Sequence, residues 1–133
     1  MRDIARQGVR VQVLWYWGPV VGYAGMVYFL SAQLHPEEQL PSFLVKDVND
    51  KVLHAVEYAG LGGLCYQAFR WGVSGQVASH ALLFAIVTAS LYGMTDEVHQ
   101  LFVPFRESSW QDWLADTIGA VIGAMSWRFL RSE

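Results

Sequence analysis

The chain of 133 residues has room for one domain, residues 1–133, and no more. It is 53% hydrophobic and 16% charged, with six tryptophans and a net charge of -3, whereas soluble domains carry roughly a quarter charged residues. So small a soluble fold cannot hide this much apolar surface, and a single cysteine, Cys65, excludes a disulfide framework.

Residues 11–34 contain no charged side chain, and these 24 positions exceed the ~20 that carry a helix across the hydrocarbon core. Arg2, Arg6 and Arg10 precede them in the manner of a signal peptide. The apolar run is too long for that, and no A-x-A-like cleavage site follows, so a retained helix is expected. Gly18-Pro19 introduces a kink that membrane helices tolerate. His35-Pro36 ends the helix, and a polar loop with Glu37, Glu38, Pro41 and Asp47 follows; His35 reads as a solvated loop residue. A second helix is expected over 51–69, with His54 and Glu57 set in apolar sequence. After a short connection through Arg70, Gly72, Ser74 and Gly75, a third spans 76–101 and runs through Thr95-Asp96-Glu97-Val98-His99-Gln100 until Pro104 stops it. A fourth spans 111–130.

The fold class is therefore all-α, an integral membrane bundle of four transmembrane helices. Charge sidedness orients it. Four spans place Arg2, Arg6, Arg10, Arg70, Arg128 and Arg131 on one side, against Asp3 and Glu133. The other side holds Lys46, Lys51 and Arg106 against ten acids. Basic residues favour the inner face, so both termini are expected in the cytoplasm and the chain in the cytoplasmic membrane. The tryptophans agree: Trp15, Trp17, Trp71 and Trp127 fall at inner helix ends, and Trp110 and Trp113 at the outer entry to the last helix.

Ionisable groups inside membrane spans are costly and mark function or internal pairing. His54 and Glu57 stand three apart on one helix face, with Gly60 and Gly63 extending that face inward. Asp96 lies three residues before His99 and four before Gln100. Asp112 and Asp116 are four apart, followed on nearly the same face by Gly119 and Gly123, a G-x-x-x-G spacing that permits close helix packing. With Asp50, Lys51, Glu97 and Arg106, these residues all map to the outer half of the membrane. His80 lies apart at the inner end of the third helix and reads as structural, as does Cys65 in its apolar stretch.

The pieces Asp50-Lys51-x-x-His54-x-x-Glu57-Tyr58-x-x-Leu61, Tyr92-x-x-x-Asp96-Glu97-x-x-Gln100-x-x-x-Pro104-x-Arg106 and Asp112-x-x-x-Asp116-x-x-Gly119-x-x-x-Gly123 resemble, in this order, the VanZ-like family of small membrane proteins. The resemblance covers residues 50–123; the first helix carries no family signature. Many members of the family have Asn where this chain has Asp116. The family is named for a protein associated with teicoplanin resistance, so the resemblance implies a role at the cell envelope without supplying a reaction.

Three functions are compatible with these residues. The first is binding or remodelling an amphiphilic envelope ligand, a lipid-linked cell-wall intermediate or a lipoglycopeptide such as teicoplanin. Lys51 and Arg106 would then pair with a phosphate or carboxylate. The second is a membrane-embedded acid–base hydrolase acting on a lipid phosphate, with Glu57, Asp96 or His99 as the catalytic base; no nucleophile elbow, Walker loop or HExxH motif is present. The third is a small subunit of an envelope complex or a homo-oligomer. A metal held by His54, Glu57, Asp96 and His99 fits the first two. The residues leave any cofactor unidentified, and nucleic-acid binding has no support.

Overall fold

The computed structural model describes residues 2–32 and 50–131. Among the described residues every regular element is a helix: α1 (Arg2–Ser31), α2 (Asp50–Trp71), α3 (Gln76–Ser79), α4 (Ala81–Gln100) and α5 (Trp110–Leu130). Three of them carry an interior stripe at helical spacing. On α2 it is His54, Tyr58, Leu61, Cys65 and Ala68. On α4 it is Ala81, Ala85, Ala89 and Gly93, followed by Asp96, Glu97 and Gln100. On α5 it is Asp112, Asp116, Gly119, Ala120 and Ala124. Apart from α2's larger apolar residues, each stripe is made of small side chains over most of its length and becomes polar at one end.

The large apolar side chains point the other way. Leu83, Leu91, Ile118, Ile122 and Phe129 are exposed, the reverse of a water-soluble bundle and the pattern expected of helices packed through small residues with lipid outside. The closest pair is α2 with α5. A Cβ built at Gly119 would run into the backbone of Ala55, one at Gly123 into that of Ala59, and one at Gly62 into that of Ala120. Backbones this close leave no space for any side chain at the crossing.

Helix α1 lies against α2 and, more lightly, α4, burying Val20, Val27 and Ser31. Its hydrogen bonds go to its neighbours: the Tyr23 hydroxyl donates to the Glu57 carbonyl at 2.9 Å and Gln12 Nε2 to the Trp71 carbonyl at 2.8 Å. The Tyr92 hydroxyl of α4 donates to the Ala24 carbonyl. Val11, Leu14, Trp15, Val21 and Phe29 of α1 remain exposed.

The segments Arg10–Ser31 and Ala81–Gln100, of 22 and 20 residues, are long and apolar enough to cross a membrane. Helices α2 and α5 match them in length, at 22 and 21 residues, but their ionisable residues and glycines make them less apolar. Helix α1 begins earlier than 11 and continues through Pro19. Its expected end at 34 and the loop containing His35 lie outside the described residues.

The expected helix over 76–101 is two helices, separated at His80, whose backbone sits at φ -107° and ψ 25°. The Ser79 hydroxyl donates to the Gln76 carbonyl at 2.7 Å, and His80 Nδ1 lies 2.9 Å from the same oxygen. Such local side-chain bonds compete with the helical ladder and end it without a proline. At the far end α4 stops at Gln100, before Pro104, and turns lead to Phe105, which takes a left-handed φ of 64°.

Candidate functional site

The polar ends of the three interior stripes meet. His54 Nδ1 of α2 lies 2.9 Å from Asp116 Oδ1 of α5. Glu97 of α4 comes in beside them, and ligand-type atoms of His54, Glu97 and Asp116 all lie within 4.8 Å of one another. These side chains are 7%, 6% and 0% exposed. Asp116 has its place because residue 93 is glycine: a Cβ there would stand 3.0 Å from Asp116 Oδ2 and 3.2 Å from the Tyr58 ring.

The connection between α4 and α5 holds the carboxylates in position. Glu97 Oε2 accepts the Ser109 backbone N–H at 2.9 Å and the Ser108 hydroxyl at 3.2 Å. Ser109 also caps α5, its hydroxyl accepting the Asp112 N–H at 3.2 Å. Asp112 receives Lys51 Nζ at 2.8 Å. On the α1 side, Gln100 Nε2 donates to the Ser31 hydroxyl at 3.2 Å and stands 3.4 Å from Asp96 Oδ2. Among the described residues, the buried oxygens Asp96 Oδ1, Glu97 Oε1, Asp116 Oδ2 and the Tyr58 hydroxyl have no hydrogen-bond partner.

Above this cluster is a cleft of about 420 Å³ lined by Lys51, His54, Gln100, Phe105, Arg106 and Asp112 among others. Phe105 on its wall is 89% exposed, and Phe102 and Trp110, in the same connection and at the start of α5, are exposed as well. Arg106 acts electrostatically on Asp96. A larger cavity of about 740 Å³ lies at the opposite end of the bundle, bordered by Arg70, Arg128 and Arg131. There the Arg131 guanidinium stands 5.8 Å from the Trp71 ring and 5.7 Å from the Trp127 ring. Arginines thus border one end, while the buried carboxylates gather with Lys51 and Arg106 at the other.

The structure gathers most of the residues that the spacing singled out. His54, Asp96, Glu97, Gln100, Asp112 and Asp116 are buried together at the polar end, with Lys51 and Arg106 on the cleft wall. Two candidates sit to one side. Glu57 is half-buried within electrostatic reach of Tyr23 and Tyr58, and His99 stacks on Tyr28 of α1 with ring centroids 4.4 Å apart. The side chain of Asp50 lies outside the description. Of the four residues considered for a metal, only His54 belongs to the ligand-spaced group; Glu97 and Asp116 complete it. Tyr58, Gly93, Ser31, Ser108 and Ser109 were not anticipated as parts of the site. The Ser109-x-x-Asp112 spacing before an apolar run was a legible helix-start signal; nothing local marked Ser31 or Gly93.

Fold and site together define a small all-helical protein with an apolar exterior and an ionisable cluster buried at one end. The chain belongs to the VanZ/LLP1 family, whose description matches it over residues 13–131. That match takes in nearly all the apolar part of α1, beyond the region 50–123 that carried the resemblance. No curated protein and no solved structure matches the chain. Family and fold make it a VanZ-like envelope protein.

Proposed function

We propose that the protein crosses the cytoplasmic membrane four times, with both termini inside, and binds an amphiphilic envelope ligand in the cleft at its outer end. The ligand class is a lipid-linked cell-wall intermediate or a lipoglycopeptide of the teicoplanin type. One observation carries the reading: a polar cleft holding Lys51 and Arg106 is also lined by Phe105, an aromatic ring left 89% exposed. A phosphate or carboxylate would pair with the cations, while an acyl or polyprenyl chain would lie along Phe105 and the apolar helix faces. Phe105 supports it further. A bulky residue at positive φ is strained, and such strain collects where a binding surface needs a side chain held outward.

The test is thermal unfolding of the purified protein in detergent with undecaprenyl phosphate, a lipid-linked wall precursor or teicoplanin. A ligand that binds only the folded state at a hundredfold excess over its Kd adds ~2.7 kcal/mol. The expected outcome is a rise in Tm with one of these compounds that Arg106→Ala abolishes. No rise with any of them overturns the proposal, and release of phosphate from the lipid would redirect it to a membrane-embedded hydrolase.

A further inference from the structure

Beneath the cleft, three helices each contribute one buried side chain of metal-ligand type: His54 from α2, Glu97 from α4 and Asp116 from α5. Spacing alone would make this an ordinary polar contact. Two further features set it apart.

The first is how the carboxylates are held. Each uses one oxygen to fix its orientation and leaves the other without a partner among the described residues. Glu97 Oε2 is tied to Ser108 and Ser109 while Oε1 is unpartnered. Asp116 Oδ1 meets His54 while Oδ2 is unpartnered and fully buried. For Glu97 this is the usual outer support of a metal ligand, hydrogen bonds that aim one oxygen and leave the other over; Asp116 is held by His54, itself one of the three. Independently, the Tyr58 hydroxyl is 0% exposed and without a partner, with its ring beside Asp116 at Gly93. A hydrogen-bond network complete in itself would have used these atoms.

The second is charge. Asp96, Glu97 and Asp116 are all buried within electrostatic reach of His54, and Lys51 meets Asp112. His99 and Arg106 also reach Asp96 electrostatically, whereas among the described residues Glu97 and Asp116 share His54. Buried charge of one sign requires a counter-charge or protonation, and a divalent ion supplies the counter-charge and takes up the spare oxygens together.

We propose that His54, Glu97 and Asp116 bind a divalent ion of the zinc–manganese class at the floor of the cleft. One imidazole with two carboxylates suits these borderline-to-hard ions, and the absence of thiolate from the set argues against copper(I). Ligand atoms bound tetrahedrally at ~2.1 Å stand about 3.4 Å apart, so the widest pair, within 4.8 Å, needs to close by no more than about 1.4 Å. Three protein ligands leave a tetrahedral ion one open position. This inference concerns the same site as the amphiphile reading but does not require it. Metal content is read without any lipid ligand, so either proposal can fail while the other stands.

The experiment is metal analysis of the detergent-purified protein, stripped with EDTA, reloaded with Zn²⁺ or Mn²⁺, and desalted. Wild type should retain one ion per chain and show a higher Tm when loaded. Glu97→Gln and Asp116→Asn should lower affinity by about a hundredfold, by analogy with the 10–100-fold losses seen for supporting residues, while Glu57→Gln retains the ion. Pulsed EPR of the Mn²⁺-loaded wild type should show coupling to an imidazole nitrogen, a readout that needs no variant to fold. Failure of both ions to remain at stoichiometric level, equal retention by Glu97→Gln and Asp116→Asn, or Mn²⁺ bound without nitrogen coupling would each overturn the proposal.

Discussion

Gly93 stands where a methyl group would press on Asp116 Oδ2 at 3.0 Å and on the Tyr58 ring at 3.2 Å. Alanine gains about 1 kcal/mol of helix propensity over glycine, whereas overpacking a closed interior costs about 1–3 kcal/mol. Gly93→Ala is therefore expected to lower stability by about 1 kcal/mol, measured by unfolding in mixed micelles. Gly22→Ala on α1, with nothing within 4 Å of its added Cβ, should be neutral or stabilising. Equal losses at the two positions would mean that Gly93 is not shaped around Asp116. At this scale residue type was legible in the sequence and pairing was not. Ionisable side chains in apolar helices were conspicuous, but the partnership of His54 with Asp116 spans 62 residues, and no local spacing encodes it.

The two helices that create this partnership are fixed against each other by their glycines. Because Gly119 and Gly123 bring α5 onto the α2 backbone at Ala55 and Ala59, the axial register of the pair is set there, one or two turns from Asp116. A methyl at Gly123 meets backbone and cannot be relieved by rotating a side chain. The expected cost of Gly123→Ala is about 3 kcal/mol, the upper part of the overpacking range, read by the same unfolding assay. A loss smaller than that of Gly93→Ala would show that α2 and α5 separate easily. The G-x-x-x-G spacing was legible, and so were helices at 51–69 and 111–130. The break at His80 was not, since it comes from hydrogen bonds of Ser79 and His80 to one carbonyl rather than from proline or glycine.

Over the whole molecule, charge and exposure divide the protein along its length. Arg70, Arg128 and Arg131 border one end, and the carboxylates with Lys51 and Arg106 occupy the other. The proposed topology puts the first end in the cytoplasm. Cys65 is 1% exposed, yet replacing it with alanine gives a clean background for accessibility mapping. In intact cells a membrane-impermeant maleimide is expected to label Glu107→Cys and to leave Ser74→Cys unlabelled until the membrane is opened; both positions are exposed. The reverse pattern would invert the orientation, and labelling of both would remove the four-span arrangement.

By itself the sequence determined that the chain is helical, where most helices run, that its surface is too apolar for water, and that its polar residues collect toward one end of each segment. These are local properties, written in runs, periods and charge positions. Tertiary structure alone decided which polar groups meet. That depends on the rotation and axial offset of helices distant in the chain, set by contacts such as Gly119 on Ala55. The packing turned Glu57 and His99 toward Tyr23 and Tyr28, and brought Glu97 to His54 and Asp116 instead.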